Sequence, residues 1–418
     1  MTTARPRTVM VVFGTRPDAV KMAPVVQALR ASPAEFTPVV AVTAQHREML
    51  DQVLRLFAIT PDHDLGIMTE KQSLADITVR TLEGLSALLP RVAPDLVLVQ
   101  GDAAPSFVGS LAAFYQRIPV GHVEAGLRTD DKYQPFPEEM YRRMTTVLAD
   151  MHFAPTRQAR RNLMAEGVPA ARILVTGNTV IDALLDVARR DRPPADPALA
   201  AVLNRPGRRV LLLTSHRREN WGEPQRRIFL AVGDLLDRFP DLDLVFPVHP
   251  NPVVAGPAHE ILGRHPRAYL CEPVDYAANV ACMKAATLIL TDSGGIQEEA
   301  PALGRPVLVL RETTERPEGI AAGTAHLVGT DRARIVEAGA RLLTDPAAYA
   351  RMSRARNPYG DGRAAGRIVD GLRYFFGVTR NPPAEFVVRD TAAPARAARK
   401  VLAAARARGR PSRRRSPP

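Results

Sequence analysis

Short runs of β-branched and aliphatic residues alternate with segments of helical period along most of this chain, and that alternation leaves few folds open. In the first half the runs fall near 8–13, 38–43, 95–100, 119–123, 151–153 and 173–176, with helical segments such as 19–31, 46–57 and 74–89 between them. The second half repeats the plan, with runs at 210–214, 242–247, 268–271, 288–291 and 307–310 and helices at 224–238, 277–285, 297–303 and 332–343. Strand–helix–strand repeats of this kind predict parallel sheets with helices on both faces. A chain of 418 residues, 46% of them apolar, is too long for one ordinary core. The expected architecture is therefore α/β, two Rossmann-like doubly wound domains facing a central cleft. The first is expected over 1–177 and the second over 178–361, with a final helix at 362–378 and a basic disordered tail at 379–418. Between 190 and 208, Pro193, Pro194, Pro197 and Pro206 break both periodicities, which predicts a polar segment without regular structure.

The net charge of +12 suggests nucleic acid until it is located. From Thr379 onward eleven Lys and Arg face only Glu385 and Asp390, a net +9 that leaves +3 for the rest of the chain. Nucleic acid is therefore expected to bind only nonspecifically, through the tail. No apolar run is long enough for a membrane span, and the N-terminus passes directly into the first strand, so a cytoplasmic protein is expected. Cys271 and Cys282 stand in no metal-ligand spacing and are expected to be small buried hydrophobes. No metal and no redox cofactor is implied.

Doubly wound sheets gather ligands at the carboxyl ends of their strands, and the unusual residues fall there. Gly14-Thr15-Arg16-Pro17 follows the first strand and opens a helix, with Lys21 one turn in; a helix N-terminus beside an Arg favours an anion. It is not a dinucleotide fingerprint, which disfavours a nicotinamide. Asp102 ends the apolar strand 95–100 and Glu124 ends the next, although a helix N-cap is an equally plain use for Asp102. Glu138 and Glu139 open a helix carrying Arg142 and Arg143, where acids also complement the helix dipole. In the second half, His216, Arg217 and Arg218 follow a strand and suit a polyanionic group. Pro247-Val248-His249-Pro250-Asn251-Pro252 reads as a proline-fixed loop. The sharpest local signal is Thr291-Asp292-Ser293-Gly294-Gly295-Ile296-Gln297-Glu298-Glu299. There a strand ends in Ser-Gly-Gly and a helix begins, offering free N–H groups to a phosphate, with Glu299 within reach of a ribose. Arg316 adds a cation from the following loop.

Taken in order, these segments resemble the non-hydrolysing UDP-N-acetylglucosamine 2-epimerases over about residues 9–376. The matches include Phe13 to Pro17, Thr43 to Arg47, Ile118 to Arg128, Gly177 to Asp182, His216 to Glu219 and Thr291 to Glu299. The resemblance implies a two-domain fold of the kind shared with nucleotide-sugar glycosyltransferases (GT-B-like), its last helix crossing back to the first domain. It implies a UDP-sugar substrate, a homodimer, no cofactor and no metal. It also implies a reaction in which UDP leaves C1 as C2 loses its proton, giving 2-acetamidoglucal, and both return with C2 inverted. Asp102, Glu124, Glu138 and His216 are then the catalytic candidates. Arg16, Ser293, Gly294, Gly295, Glu299 and Arg316 would hold UDP, with Lys21 and Arg142 nearby. Gln45, Arg217 and His249 match an effector site for a second substrate molecule. Two departures from the family pattern are expected near the sugar: Ala103-Ala104-Pro105-Ser106 replaces a run of threonines, and Tyr141 replaces an Asn. The rival readings are a glycosyltransferase of the same fold, a hydrolysing variant, and a non-enzymatic sugar-nucleotide-binding regulator.

Overall fold

The computed structural model describes residues 5–43, 47–69, 72–129 and 131–388. Seven strands form the first sheet: β1 (Arg7–Phe13), β2 (Phe36–Val42), β3 (His63–Asp64), β4 (Leu96–Gln100), β5 (Val120–Val123), β6 (Met151–Ala154) and β7 (Ile173–Val175). Six form the second: β8 (Arg209–Thr214), β9 (Leu242–Pro247), β10 (Ala268–Cys271), β11 (Ala286–Thr291), β12 (Val307–Val309) and β13 (Ala325–Leu327). All pairings are parallel, in the orders β3-β2-β1-β4-β5-β6-β7 and β10-β9-β8-β11-β12-β13. Each sheet thus starts at its centre, runs outward to one edge, returns and fills the other side, the doubly wound plan with its switch points between β1 and β4 and between β8 and β11.

The reason lies in burial. Strands such as Leu96–Gln100 and Val307–Val309 are buried along their whole length, as helices on both faces of a parallel sheet require. Helix starts are equally legible. Thr15 and Asp18 close a capping box on helix Arg16–Arg30, with Pro17 in its first turn, and Ser73 and Asp76 do the same for Leu74–Val92. The 190–208 segment corrects the expectation of no regular structure. Its Pro197 sits in the first turn of helix Pro197–Leu203, where proline is favourable, and Asp196 caps it. In the same way Asn251 and Pro252 begin helix Pro252–Leu262 at the end of the proline-rich loop. Cys282 is buried as expected, whereas Cys271 is only half-buried.

The last helix, Ala364–Phe375, crosses back to the first sheet. Asp182 accepts from the N–H groups of Ala364 and Ala365 at its start. At its other end Arg373 pairs with Glu35, and the rings of Phe36 and Phe376 lie 6.4 Å apart. One apolar core runs through helix Thr179–Arg189, which packs on both Arg16–Arg30 and Tyr276–Ala285. The packed chain also continues past Thr379, where a disordered tail was expected to begin. Glu385 pairs with Arg160 at 2.7 Å, and the Phe386 N–H donates to the Val175 carbonyl at 2.8 Å with its side chain 7% exposed. Residues 389–418, the greater part of the basic segment, lie outside the described residues.

Candidate active site

The carboxyl ends of the two sheets face a cleft of about 560 Å³. Arg16 and Lys21 line it from the first half; His216, His249, Ser293, Gly295, Glu298, Glu299 and Arg316 line it from the second. Arg16 also reaches across, its guanidinium donating to the Val274 carbonyl at 3.4 Å.

In the second half, Asp292 organises the loop after β8. Wholly buried, it accepts from the backbone N–H groups of His216 (3.0 Å) and Arg217 (3.1 Å) and from the Asn220 amide (3.1 Å). It also faces His216 Nδ1 at 3.3 Å, which orients the imidazole, while burial holds that imidazole below its ordinary pKa. His249 stacks at 6.3 Å from His216. Arg217 pairs with Glu315 at 3.3 Å; burial would raise that carboxyl, but Arg316, Arg311 and Arg217 outweigh it and hold it at about 2. Ser293 is the N-cap of helix Gly294–Glu299 and makes no side-chain capping bond, so the first N–H groups of the helix are not taken by the cap. Glu299 accepts from the Tyr276 hydroxyl at 2.7 Å, and burial lifts its carboxyl to about 7.

In the first half, Glu124 occupies the left-handed region at φ +63°, unusual for a residue with a side chain. The turn directs its carboxylate back toward the junction of the halves, where Lys21 Nζ lies 2.7 Å from each oxygen and Gln100 donates to one of them. Burial opposes charge on both partners. Their mutual attraction wins, lowering the Glu124 pKa and raising that of Lys21. Asn178 donates to Glu124 at 2.8 Å and to Glu298 of the second half at 2.6 Å, and Arg316 donates to the other oxygen of Glu298. Gly101, at φ +66°, makes the turn that presents Asp102, which is paired with Arg142.

The structure separates the two acids at the start of helix Glu138–Leu148. Glu139 is fully buried, bonded to Arg143 at 2.7 Å and to the Thr129 N–H at 3.1 Å. Glu138 is half-buried and makes no hydrogen bond or ion pair among the described residues. Asp102, Glu124, Glu138 and Arg142 do not belong to the immediate lining of the cleft. Gln45 lies outside the described residues. Tyr141, expected near the sugar, is nine-tenths buried in an apolar cluster with Ile67, Ile77 and Ala104, its ring stacked 5.7 Å from Phe107. Among the described residues no three His, Cys, Asp or Glu side chains are grouped as metal ligands would be.

Sequence reasoning passed over four residues of this region. Asp292 and Glu298 stood inside the strongest motif, but as neighbours of better candidates. Asn178 stood inside the Gly177 to Asp182 match with no role of its own, and Tyr276 offered no signal. A buried acid at the end of an apolar strand was the available clue for Asp292.

The sequence profile of the family described as UDP-N-acetylglucosamine 2-epimerase matches residues 27–373. The UDP-N-acetylglucosamine 2-epimerase of Bacillus subtilis is 52% identical over 379 residues, covering 90% of this chain and 98% of that protein. That of Escherichia coli K12 is 54% identical over 369 residues, covering 87% and 98%. The crystal structure of the Neisseria meningitidis UDP-GlcNAc 2-epimerase bound to UDP-GlcNAc superposes with a TM-score of 0.79 at 47% identity, covering 87% of this chain and 99% of that one. By profile, by sequence over nearly the whole of its relatives, and by fold, this chain belongs to the UDP-N-acetylglucosamine 2-epimerase family.

Proposed function

We propose that the protein interconverts UDP-GlcNAc and UDP-ManNAc without a cofactor, as an isomerase working through 2-acetamidoglucal. The observation that carries the reading is the two-sided cleft, in which Arg16 and Lys21 of the first half face His216, Ser293, Glu299 and Arg316 of the second, with Glu124 paired behind Lys21. UDP departure takes the C1–O electron pair onto the pyrophosphate. Arg16, Arg316, Ser293 and the N–H groups of Gly294 and Gly295 would stabilise the charge that develops there. Glu299 would hold the ribose. The C2 proton goes to a carboxylate as the C1=C2 bond forms, and a proton returned from the other face inverts the centre. Asp102, Glu124 and Glu138, with His216, are the groups assigned to these transfers, and Arg142 and Lys21 hold two of them. Residues 1–177 and 178–361 act as the two domains, and Gln45, Arg217 and His249 would form the effector site. We further read the protein as a cytoplasmic homodimer. The neighbouring helices Ala104–Tyr115 and Glu138–Leu148 support pairing, since they expose Phe114, Tyr115, Met140 and Val147.

Proton NMR of UDP-GlcNAc in D₂O with the purified protein tests the reaction. Appearance of UDP-ManNAc with deuterium at C2 is the expected result. Free UDP with a free sugar would instead mean hydrolysis, and an unchanged spectrum would overturn the reading.

A further inference from the structure

Asn178 stands where the chain first passes from one sheet to the other, and each of its hydrogen-bonding groups is engaged at that junction. Its backbone N–H donates to the Tyr359 carbonyl at 2.6 Å, on the segment by which the chain returns. Its side-chain oxygen accepts from the Val180 N–H at 3.3 Å and caps helix Thr179–Arg189. The amide nitrogen has two hydrogens, and they go to two carboxylates from different halves of the molecule: Glu124 at 2.8 Å and Glu298 at 2.6 Å. The residue is 2% exposed, so water does not compete for these bonds.

Two buried carboxylates sharing one nitrogen repel unless cations meet them. Lys21, from helix Arg16–Arg30, meets Glu124, and Arg316, from the loop before helix Pro317–Ala322, meets Glu298. His122, on the strand that leads into Glu124, is held neutral by burial, with its pKa near 3, and its ring Nε2 is taken up by the Gly101 carbonyl at 2.7 Å. The Asn178 amide is the neutral donor that joins the two ion pairs.

We propose that Asn178 is a positioning residue for the epimerisation, holding the Glu124 carboxylate in place through a bond whose twin requires Glu298 of the other half. The proposal rests on the reaction assigned above. Asn178 and Glu298 both belong to 178–361, so separation of the halves draws the amide away from Glu124 and loosens that carboxylate. The shared amide therefore makes the reactive carboxylate sensitive to whether the cleft is shut.

Asn178→Ser and Asn178→Asp separate this role from simple capping, because Ser and Asp are as good at a helix N-cap as Asn. A capping role alone predicts near-normal behaviour from both. We expect Asn178→Ser to stay folded and to lose about tenfold to a hundredfold in kcat, the worth of a hydrogen bond to a charged group, with KM within about threefold. Losing a donor raises the Glu124 pKa, so the acid limb of the kcat profile should move to higher pH. Asn178→Asp, which adds a third carboxylate, should lose more and move further. An Asn178→Ser enzyme within twofold of wild type and with an unmoved acid limb would overturn the proposal. Hydrogen exchange with UDP bound gives a readout independent of turnover: faster exchange at 176–181 and 356–361 in Asn178→Ser is expected, and equal exchange would count against the bridge. A wild type that never exchanges C2 hydrogen would sink the reaction reading, and the exchange measurement would still decide the bridge.

Discussion

Glu124 and Glu139 show how differently two buried acids can be used. Glu139 is locked between Arg143 and the Thr129 N–H and is consumed in holding its helix, whereas Glu124 accepts a strained backbone to bring its carboxylate to the junction. We expect Asp102→Asn, Glu124→Gln and Glu138→Gln each to lose at least about a hundredfold in rate while remaining folded, as removal of an acid or base does. Steady-state kinetics with melting curves checks this, and near-normal turnover in two of the three would refute the assignment. Glu299 makes a pH-dependent prediction. Its carboxyl is lifted from 4.5 to about 7 by burial, so the folded state holds a proton that the unfolded chain gives up between those values. Its contribution to stability falls as pH rises through that window. Glu299→Gln mimics the protonated form, so its melting temperature should match wild type near pH 5 and exceed it at pH 8. A constant offset across that range would show that Glu299 is not the titrating group. At this scale the sequence was right that Asp102 and Glu124 follow the strands Leu96–Gln100 and Val120–Val123, because an acid after an apolar strand is conspicuous. Residue pattern alone treated Glu138 and Glu139 alike, the resemblance choosing Glu138, and it passed over Glu298 beside Glu299, since adjacent acids on one helix differ only in the direction they face.

Whole elements were easier to read than their contacts. Strands buried on both faces carry continuous apolar runs, and both central sheets were legible for that reason. The edge strands β3 and β13 were not, because two or three residues such as His63-Asp64 carry no period. Helix Pro197–Leu203 was hidden by prolines that look like breakers but stand in a first turn. The segment after the last helix was misjudged most, since its charge concealed one aromatic anchor. Phe386 packs beside Gly177 at the junction, with the Arg367 guanidinium 5.5 Å from its ring centroid. Burying such a side chain is worth about 1.5–3 kcal/mol. Truncation after Val388 should therefore leave activity and melting temperature unchanged at moderate salt and abolish any salt-sensitive nucleic-acid binding. Truncation after Gly377 should lower the melting temperature by several degrees. Equal melting temperatures for the two truncations would mean that Phe386 contributes nothing in solution.

The molecule as a whole is two sheets joined by crossings near 176–178 and 358–364, and its cleft draws ligands from both sides. Arg16 comes from the first half and His216, Ser293 and Arg316 from the second. A ligand that bridges two bodies favours their closed arrangement only through contacts absent from the open one. On the proposed assignment those contacts are to the pyrophosphate, because Arg16 would meet it from the first half, whereas Glu299, proposed for the ribose, lies with the Ser-Gly-Gly turn on the second. The Asn178 bridge acts in the same direction, since it too is complete only when Glu124 and Glu298 are side by side. The glucal intermediate needs shielding from water and time to turn before UDP returns, which makes closure a step of the reaction. UDP should thus compact the protein in solution, whereas uridine, which lacks the phosphates, should leave it as it is. Small-angle scattering of the protein alone, with UDP and with uridine, measures the difference. Equal radii of gyration with UDP shown to be bound would mean that the cleft does not close on the pyrophosphate, and the Asn178 bridge would then be permanent rather than conditional.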